Sequence, residues 1–121
     1  MSKVLVIEDS ATQREMIADL LRKNGLTVIE ATDGIEALEK IQDNPPDLVI
    51  LDIVMPKMNG YEVCRRLKAD PCMQGIPIVM CSSKGEEFDR YWGMKQGADA
   101  YVAKPFQPDD LVGTVKQMLR G

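Results

Sequence analysis

Leu48-Val49-Ile50-Leu51-Asp52-Ile53-Val54-Met55-Pro56-Lys57-Met58-Asn59-Gly60 contains an apolar run, an acid where it stops, and turn formers behind it. The run is continuous rather than alternating, the pattern of a central parallel strand covered on both faces. Asp52 follows it directly, and an ionised carboxylate there carries a desolvation cost that some partner must offset. Asn59-Gly60 suggests a hairpin turn, but Tyr61, Cys64 and Leu67 then recur at helical spacing. Asn59 is therefore read as the start of a helix.

The same strand-then-helix pattern extends in both directions. Val4-Leu5-Val6-Ile7 is a second apolar run, and it ends in two acids, Glu8 and Asp9. Residues 10–24 carry Met16, Ile17, Leu20 and Leu21 at helical spacing; Ser10-Ala11-Thr12-Gln13 resembles a capping box and Gly25 is a stop. Residues 27–31 predict a short strand, and a helix from Asp33-Gly34 stops at Asn44-Pro45-Pro46. Beyond the opening stretch, residues 76–81 predict a fourth strand and residues 86–96 a helix stopped by Gly97. Residues 100–103 predict a fifth strand, ended by Lys104, and a last helix starts near Pro108 with Leu111, Val115 and Met118 inward. Five such units imply an α/β fold with a parallel sheet between two helical layers, because crossovers are right-handed. Ligands bind such sheets outside the carboxyl ends of the strands. Glu8, Asp9, Asp52, Ser82 and Lys104 all fall there.

The 121 residues suit one domain, residues 1–121, with a real core and no room for a second. A net charge of −4 argues against a nucleic-acid backbone as the main partner, which would need a basic face. No run is apolar for long enough to span a membrane, and Met1-Ser2-Lys3 passes straight into a strand without a signal peptide. The expected location is the cytoplasm. Cys64, Cys72 and Cys81 lack C-x-x-C spacing and are read as reduced thiols, two of them packing residues. Histidine is absent, which excludes Ser-His-Asp and Cys-His nucleophile systems and most zinc sites. Any phosphohistidine chemistry must then use a histidine on another protein.

Two carboxylates about 4 Å apart repel by roughly 4 kcal/mol at an effective dielectric near 20. A hard cation removes that penalty, and Mg2+ suits a site of few carboxylates, water and a phosphoryl oxygen. Asp9 and Asp52 are the expected direct ligands, with Glu8 acting through water and the Val54 backbone carbonyl completing the set. Singly, Asp9 reads as a helix-cap neighbour, Glu8 as a strand-end charge and Asp52 as a turn former. Together with Lys104 and a hydroxyl they form a phosphoryl site, where transfer is mainly positioning and charge neutralisation. Ser82 is the natural hydroxyl and Ser83 its competitor.

The combination of Glu8-Asp9, Asp52-x-x-Met55-Pro56-x-x-x-Gly60, Ser82, Tyr101 and Lys104-Pro105 resembles the receiver domains of two-component response regulators, of the CheY type, over the full length. The resemblance implies a doubly wound (βα)5 sandwich with strand order 2-1-3-4-5. It implies that Asp52 accepts phosphate from a sensor histidine kinase with Mg2+, that Ser82 moves to bind it, that Tyr101 turns inward, and that Lys104-Pro105 is cis. Such a protein catalyses only its own phosphorylation and dephosphorylation. The stretch from Ser83 to Gly93, followed by Gln96-Gly97-Ala98, is similar to PilH-type regulators, single-domain receivers in chemotaxis-like systems controlling type IV pilus motility. Val54 and Lys84 occupy positions linked in receivers to dephosphorylation rate, and Val54 offers an attacking water no hydrogen bond.

Output by a lone receiver must be a contact with a downstream target protein. Phe88, Tyr91 and Trp92 can share one face of the fourth helix. Core packing is the ordinary reading of Phe88 or Tyr91, whereas Trp92 is an interface candidate. In receivers the fourth helix, fifth strand and fifth helix commonly form the output face. A flavodoxin-like flavin protein is disfavoured because Glu8-Asp9 would repel a flavin phosphate. An aspartyl phosphatase of the haloacid dehalogenase kind needs a second Asp at position 54, where Val stands. A phosphate sink and a phosphorylation-independent adaptor are the remaining alternatives.

Overall fold

The computed structural model describes residues 2–120, so Met1 and Gly121, the ends of the expected 1–121 domain, lie outside the described residues. Five strands, β1 (Lys3–Ile7), β2 (Thr27–Ala31), β3 (Leu48–Leu51), β4 (Ile78–Ser82) and β5 (Ala100–Ala103), alternate with five helices. The helices are α1 (Ala11–Lys23), α2 (Gly34–Asp43), α3 (Gly60–Ala69), α4 (Glu87–Lys95) and α5 (Pro108–Arg120). The sheet is parallel throughout, in the order β2-β1-β3-β4-β5.

The continuous apolar runs divide by residue parity. Val4, Val6, Leu48, Ile50, Val79 and Cys81 pack with Ile17 and Leu21 of α1 and Leu111 and Val115 of α5. Leu5, Ile7, Val49, Leu51, Ile78 and Met80 pack on the opposite face with Ala37 and Ile41 of α2 and Val63, Cys64 and Leu67 of α3. Each central strand therefore feeds two cores, which is why no polar residue interrupts it. Cys64 and Cys81 are buried, and burial pushes their thiols up to about 11 and about 12, whereas Cys72 is exposed. Among the described residues no helix is long and apolar enough to cross a membrane.

Caps set the helix starts. Ser10, Asp33 and Asn59 each accept a hydrogen bond from the backbone N–H three residues on, so Asn59 does open α3. Gly25 (φ +84°) and Gly97 (φ +112°) lie past α1 and α4 in the left-handed region that glycine favours. The expected fourth strand begins two residues late. Pro77 has no N–H to give the ladder, and the Ile76 N–H is used in a turn to the Met73 carbonyl. Pairing starts at Ile78, whose N–H donates to Asp99 Oδ2 at 2.8 Å.

Candidate functional site

Strand register delivers the site. Ile7 pairs with Leu51, so Glu8 and Asp52 leave the sheet at one level, and the Asp52 N–H donates to the Ile7 carbonyl at 3.2 Å. Met80 pairs with Leu51 and Ala103 with Ser82, which brings Ser82 and Lys104 to the same edge. Chain order turns back between β1 and β3, and such a reversal opens a crevice at the carboxyl end.

Within that crevice the carboxylates of Glu8, Asp9 and Asp52 each offer an oxygen within 4.8 Å of the others. Lys104 Nζ donates to Glu8 Oε1 at 2.6 Å, to Asp52 Oδ2 at 3.3 Å and to Gln13 Oε1. Asp52 Oδ1 accepts from the Ile53 N–H at 2.7 Å, which fixes the carboxylate against its own backbone. Glu8 is only 2 % exposed and its Oε2 is buried without a hydrogen-bond partner. Burial pushes the Glu8 carboxyl above the usual carboxylate range, and the Asp52 charge adds to this, although the Lys104 hydrogen bond opposes both. Burial alone would lower Lys104, yet its bond to Glu8 and the charges of Asp52 and Glu8 hold it above an ordinary lysine.

Three carboxylates against one ammonium leave two negative charges, and an orphaned buried oxygen belongs to one of the acids. An oxygen-rich, dianionic cluster of this kind fits a hard divalent cation. Val54 is exposed immediately beyond the cluster.

Ser82 is fully buried at the end of β4, and its Oγ accepts from the Lys84 N–H at 3.3 Å. Ser83 is exposed. Tyr101 stands apart from the acids: its hydroxyl donates to the Lys84 carbonyl, so it holds the loop that follows Ser82. Burial, with Tyr61 and Asp89 nearby, pushes its phenol up to about 12. The Lys104–Pro105 bond is cis.

The α4 aromatics depart from expectation. Phe88 is 71 % exposed and Tyr91 is exposed too, so neither fills the core. Met80 and Tyr101 already occupy the space beneath α4, and Gly93 is the only α4 residue buried there; a Cβ at 93 would lie 2.8 Å from Met80 Sδ and 3.1 Å from the Tyr101 ring. Phe88 instead stacks on Trp92 with planes 4° apart and centroids 6.4 Å apart, and Lys95 Nζ lies 5.6 Å from the Tyr91 ring. Phe88 and Tyr91 therefore share the solvent face with Trp92.

Two contacts at the site were not legible in the sequence. Gln13 resembled the reciprocal half of a capping box, but only the Ser10 half forms, at 3.3 Å, and the Gln13 side chain turns to Lys104. Arg14 donates to the Glu8 carbonyl at 2.9 Å and to Glu30 Oε1 at 3.2 Å, binding the end of β1 to α1. Gln13 and Lys104 also line a cleft of about 670 Å3 with Met16, Leu20, Ser83 and Phe106, which opens beside the site.

Residues 4–116 match the response regulator receiver domain family. The chain belongs to that family. This receiver is 42% identical over 114 residues to the protein PilG of Pseudomonas aeruginosa, covering 94% of this chain and 84% of PilG. It is also 42% identical to PhoP of Bacillus subtilis, an alkaline phosphatase synthesis transcriptional regulatory protein, over 98% of this chain but only 48% of PhoP. The receiver thus spans about half of that longer regulator. Among solved structures, the chemotaxis response regulator CheY4 of Vibrio cholerae superposes with a TM-score of 0.91 at 33% identity, with 98% of both chains covered. Receivers as a class are signal transducers, which implies a phosphodonor kinase and a downstream partner.

Proposed function

We propose that Asp52 of this receiver accepts a phosphoryl group from a phosphohistidine on a sensor histidine kinase. The observation that carries the reading is the convergence of Lys104 on Asp52 within a three-carboxylate cluster. A carboxylate oxygen of Asp52 attacks phosphorus, the phosphorus–nitrogen bond breaks, and its electron pair leaves with the imidazole. An acyl phosphate results. Lys104, already 3.3 Å from Asp52 Oδ2, is sited to neutralise a phosphoryl oxygen. The Ser82 hydroxyl accepts from Lys84 and so keeps its own proton to donate to a second. Asp9, Asp52, Glu8 and the Val54 carbonyl would hold Mg2+, which would supply further charge neutralisation.

The switch is a population shift. Phosphate draws Ser82 and its loop inward, Tyr101 loses its acceptor at Lys84 and reorients, and the surface around Phe88, Tyr91 and Trp92 changes for a target protein. The bond from Tyr101 to Lys84 and the Gly93 contact beneath α4 support this coupling. Likeness to PilG and to a chemotaxis regulator supports a role in chemotaxis or type IV pilus motility control.

An Asp52→Asn variant is expected to take up no label from acetyl phosphate and Mg2+, and uptake equal to the unsubstituted protein would overturn the assignment. Captured targets extend the test: a partner held only by the beryllofluoride-treated protein marks a direct signal, and equal capture marks a phosphate sink.

Mg2+ should also stabilise the fold in a pH-dependent way. Because the Glu8 pKa is raised by folding, its contribution is fully present below the unfolded value and is lost as pH rises through the folded one. The cation needs the deprotonated form, so its stabilisation grows across that same window. At a hundredfold excess over Kd, binding adds about 2.7 kcal/mol. The increase in Tm with Mg2+ is expected to be larger near neutral pH than in mild acid; calorimetry showing an equal increase would count against Glu8 at the cation.

A further inference from the structure

Lys104 has three N–H donors, and all three are taken: by Glu8 Oε1 at 2.6 Å, by Gln13 Oε1 and by Asp52 Oδ2 at 3.3 Å. Charged hydrogen bonds of this type normally run at about 2.7–2.9 Å, so the bond to Asp52 is the slack one. An ammonium locked onto Asp52 would withdraw charge from the oxygen that has to attack phosphorus. Gln13 takes one of the donors with a neutral oxygen that lies outside the acid cluster. Its own amide nitrogen has no hydrogen-bond partner among the described residues, so nothing competes with Lys104 for the orientation of the amide. The half-buried Gln13 also lines, with Lys104, the cleft beside the site.

We propose that Gln13 is a positioning residue that holds Lys104 off Asp52 until a phosphoryl oxygen arrives to accept the slack donor. This rests on Asp52 being the phosphoacceptor. Without the Gln13 oxygen, the freed N–H turns to the nearest buried acceptors, Asp52 or the orphaned Glu8 Oε2. Either choice tightens the ion pair and removes Lys104 from its waiting position.

The test compares the unsubstituted protein with Gln13→Met, which keeps length without an acceptor, and Gln13→Glu, which restores an oxygen. Phosphoryl uptake from acetyl phosphate with Mg2+ is timed, and the 15N-labelled ammonium of Lys104 is followed by NMR in the metal-free protein. Loss of a hydrogen bond to a charged group predicts uptake about tenfold slower in Gln13→Met with Tm unchanged. The Lys104 ammonium signal should shift or broaden in Gln13→Met and return toward its original position in Gln13→Glu. An uptake rate within about twofold of the unsubstituted protein, with an unmoved signal, would overturn the role of Gln13. No uptake by the unsubstituted protein would strike the Asp52 reading instead, and the Lys104 signal would then judge the Gln13 contact by itself.

Discussion

Gly60→Ala is expected to cost about 3 kcal/mol of folding free energy or more, the upper range for overpacking a core. A Cβ at this position would lie 2.2 Å from the Asp52 carbonyl oxygen, 2.5 Å from Leu51 Cδ1 and 2.9 Å from Ile53 Cα. Two of those three atoms are backbone and cannot swing away. The φ of Gly60 is not positive, so the requirement is for space and not for a left-handed conformation. The Gly60 N–H donates to the Ile53 carbonyl at 2.9 Å, seating the start of α3 directly on the chain that carries Asp52. An alanine must push that chain and Asp52 with it, so phosphoryl uptake should fall along with stability. Gly113→Ala is the matched control: it lies inside α5 with nothing within 4 Å of its Cβ. There alanine should add about 1 kcal/mol through helix propensity. Urea unfolding of both variants reads the two signs in one experiment, and equal effects would refute the close-packing explanation.

Lys104→Met should slow phosphoryl uptake about 100- to 1,000-fold, the usual loss when a preorganised donor to a developing charge is removed. Lys104 is the only cation with a hydrogen bond to the Glu8 or Asp52 side chain among the described residues. Without it, Glu8, Asp9 and Asp52 face one another with no internal counter-charge. Rapid-quench measurement with acetyl phosphate and saturating Mg2+ gives the rate. A loss below about tenfold would mean that Lys104 serves the fold more than the transfer.

The parts of the fold set by local chemistry were legible from the sequence. Residues 27–31 and 48–51 form strands as read, and α5 begins at Pro108, because breakers and caps bound these segments tightly. The β4 boundary slipped because a proline can look like part of an apolar run while lacking the N–H a ladder needs. The acids and Lys104 were visible because charge at the end of a buried strand is costly and so needs an explanation. Gln13 was hidden because a capping glutamine and a lysine-binding glutamine have the same local pattern; only tertiary packing against the end of β5 separates them. The α4 aromatics misled for the opposite reason. Helical spacing shows that residues share a face, but not whether that face looks at the sheet, and Gly93 settled it. With the large side chains of Met80 and Tyr101 beneath, α4 could approach only through a residue without one.

The claim at the centre is covalent and can be trapped. An acyl phosphate is reduced by borohydride to the alcohol, which turns a phosphorylated aspartate into homoserine and leaves free carboxylates untouched. The protein treated with acetyl phosphate and Mg2+, then reduced and digested, should yield homoserine at position 52 alone by tandem mass spectrometry. Homoserine at position 9, phosphate on Ser82, or an unmodified Asp52 peptide would contradict it.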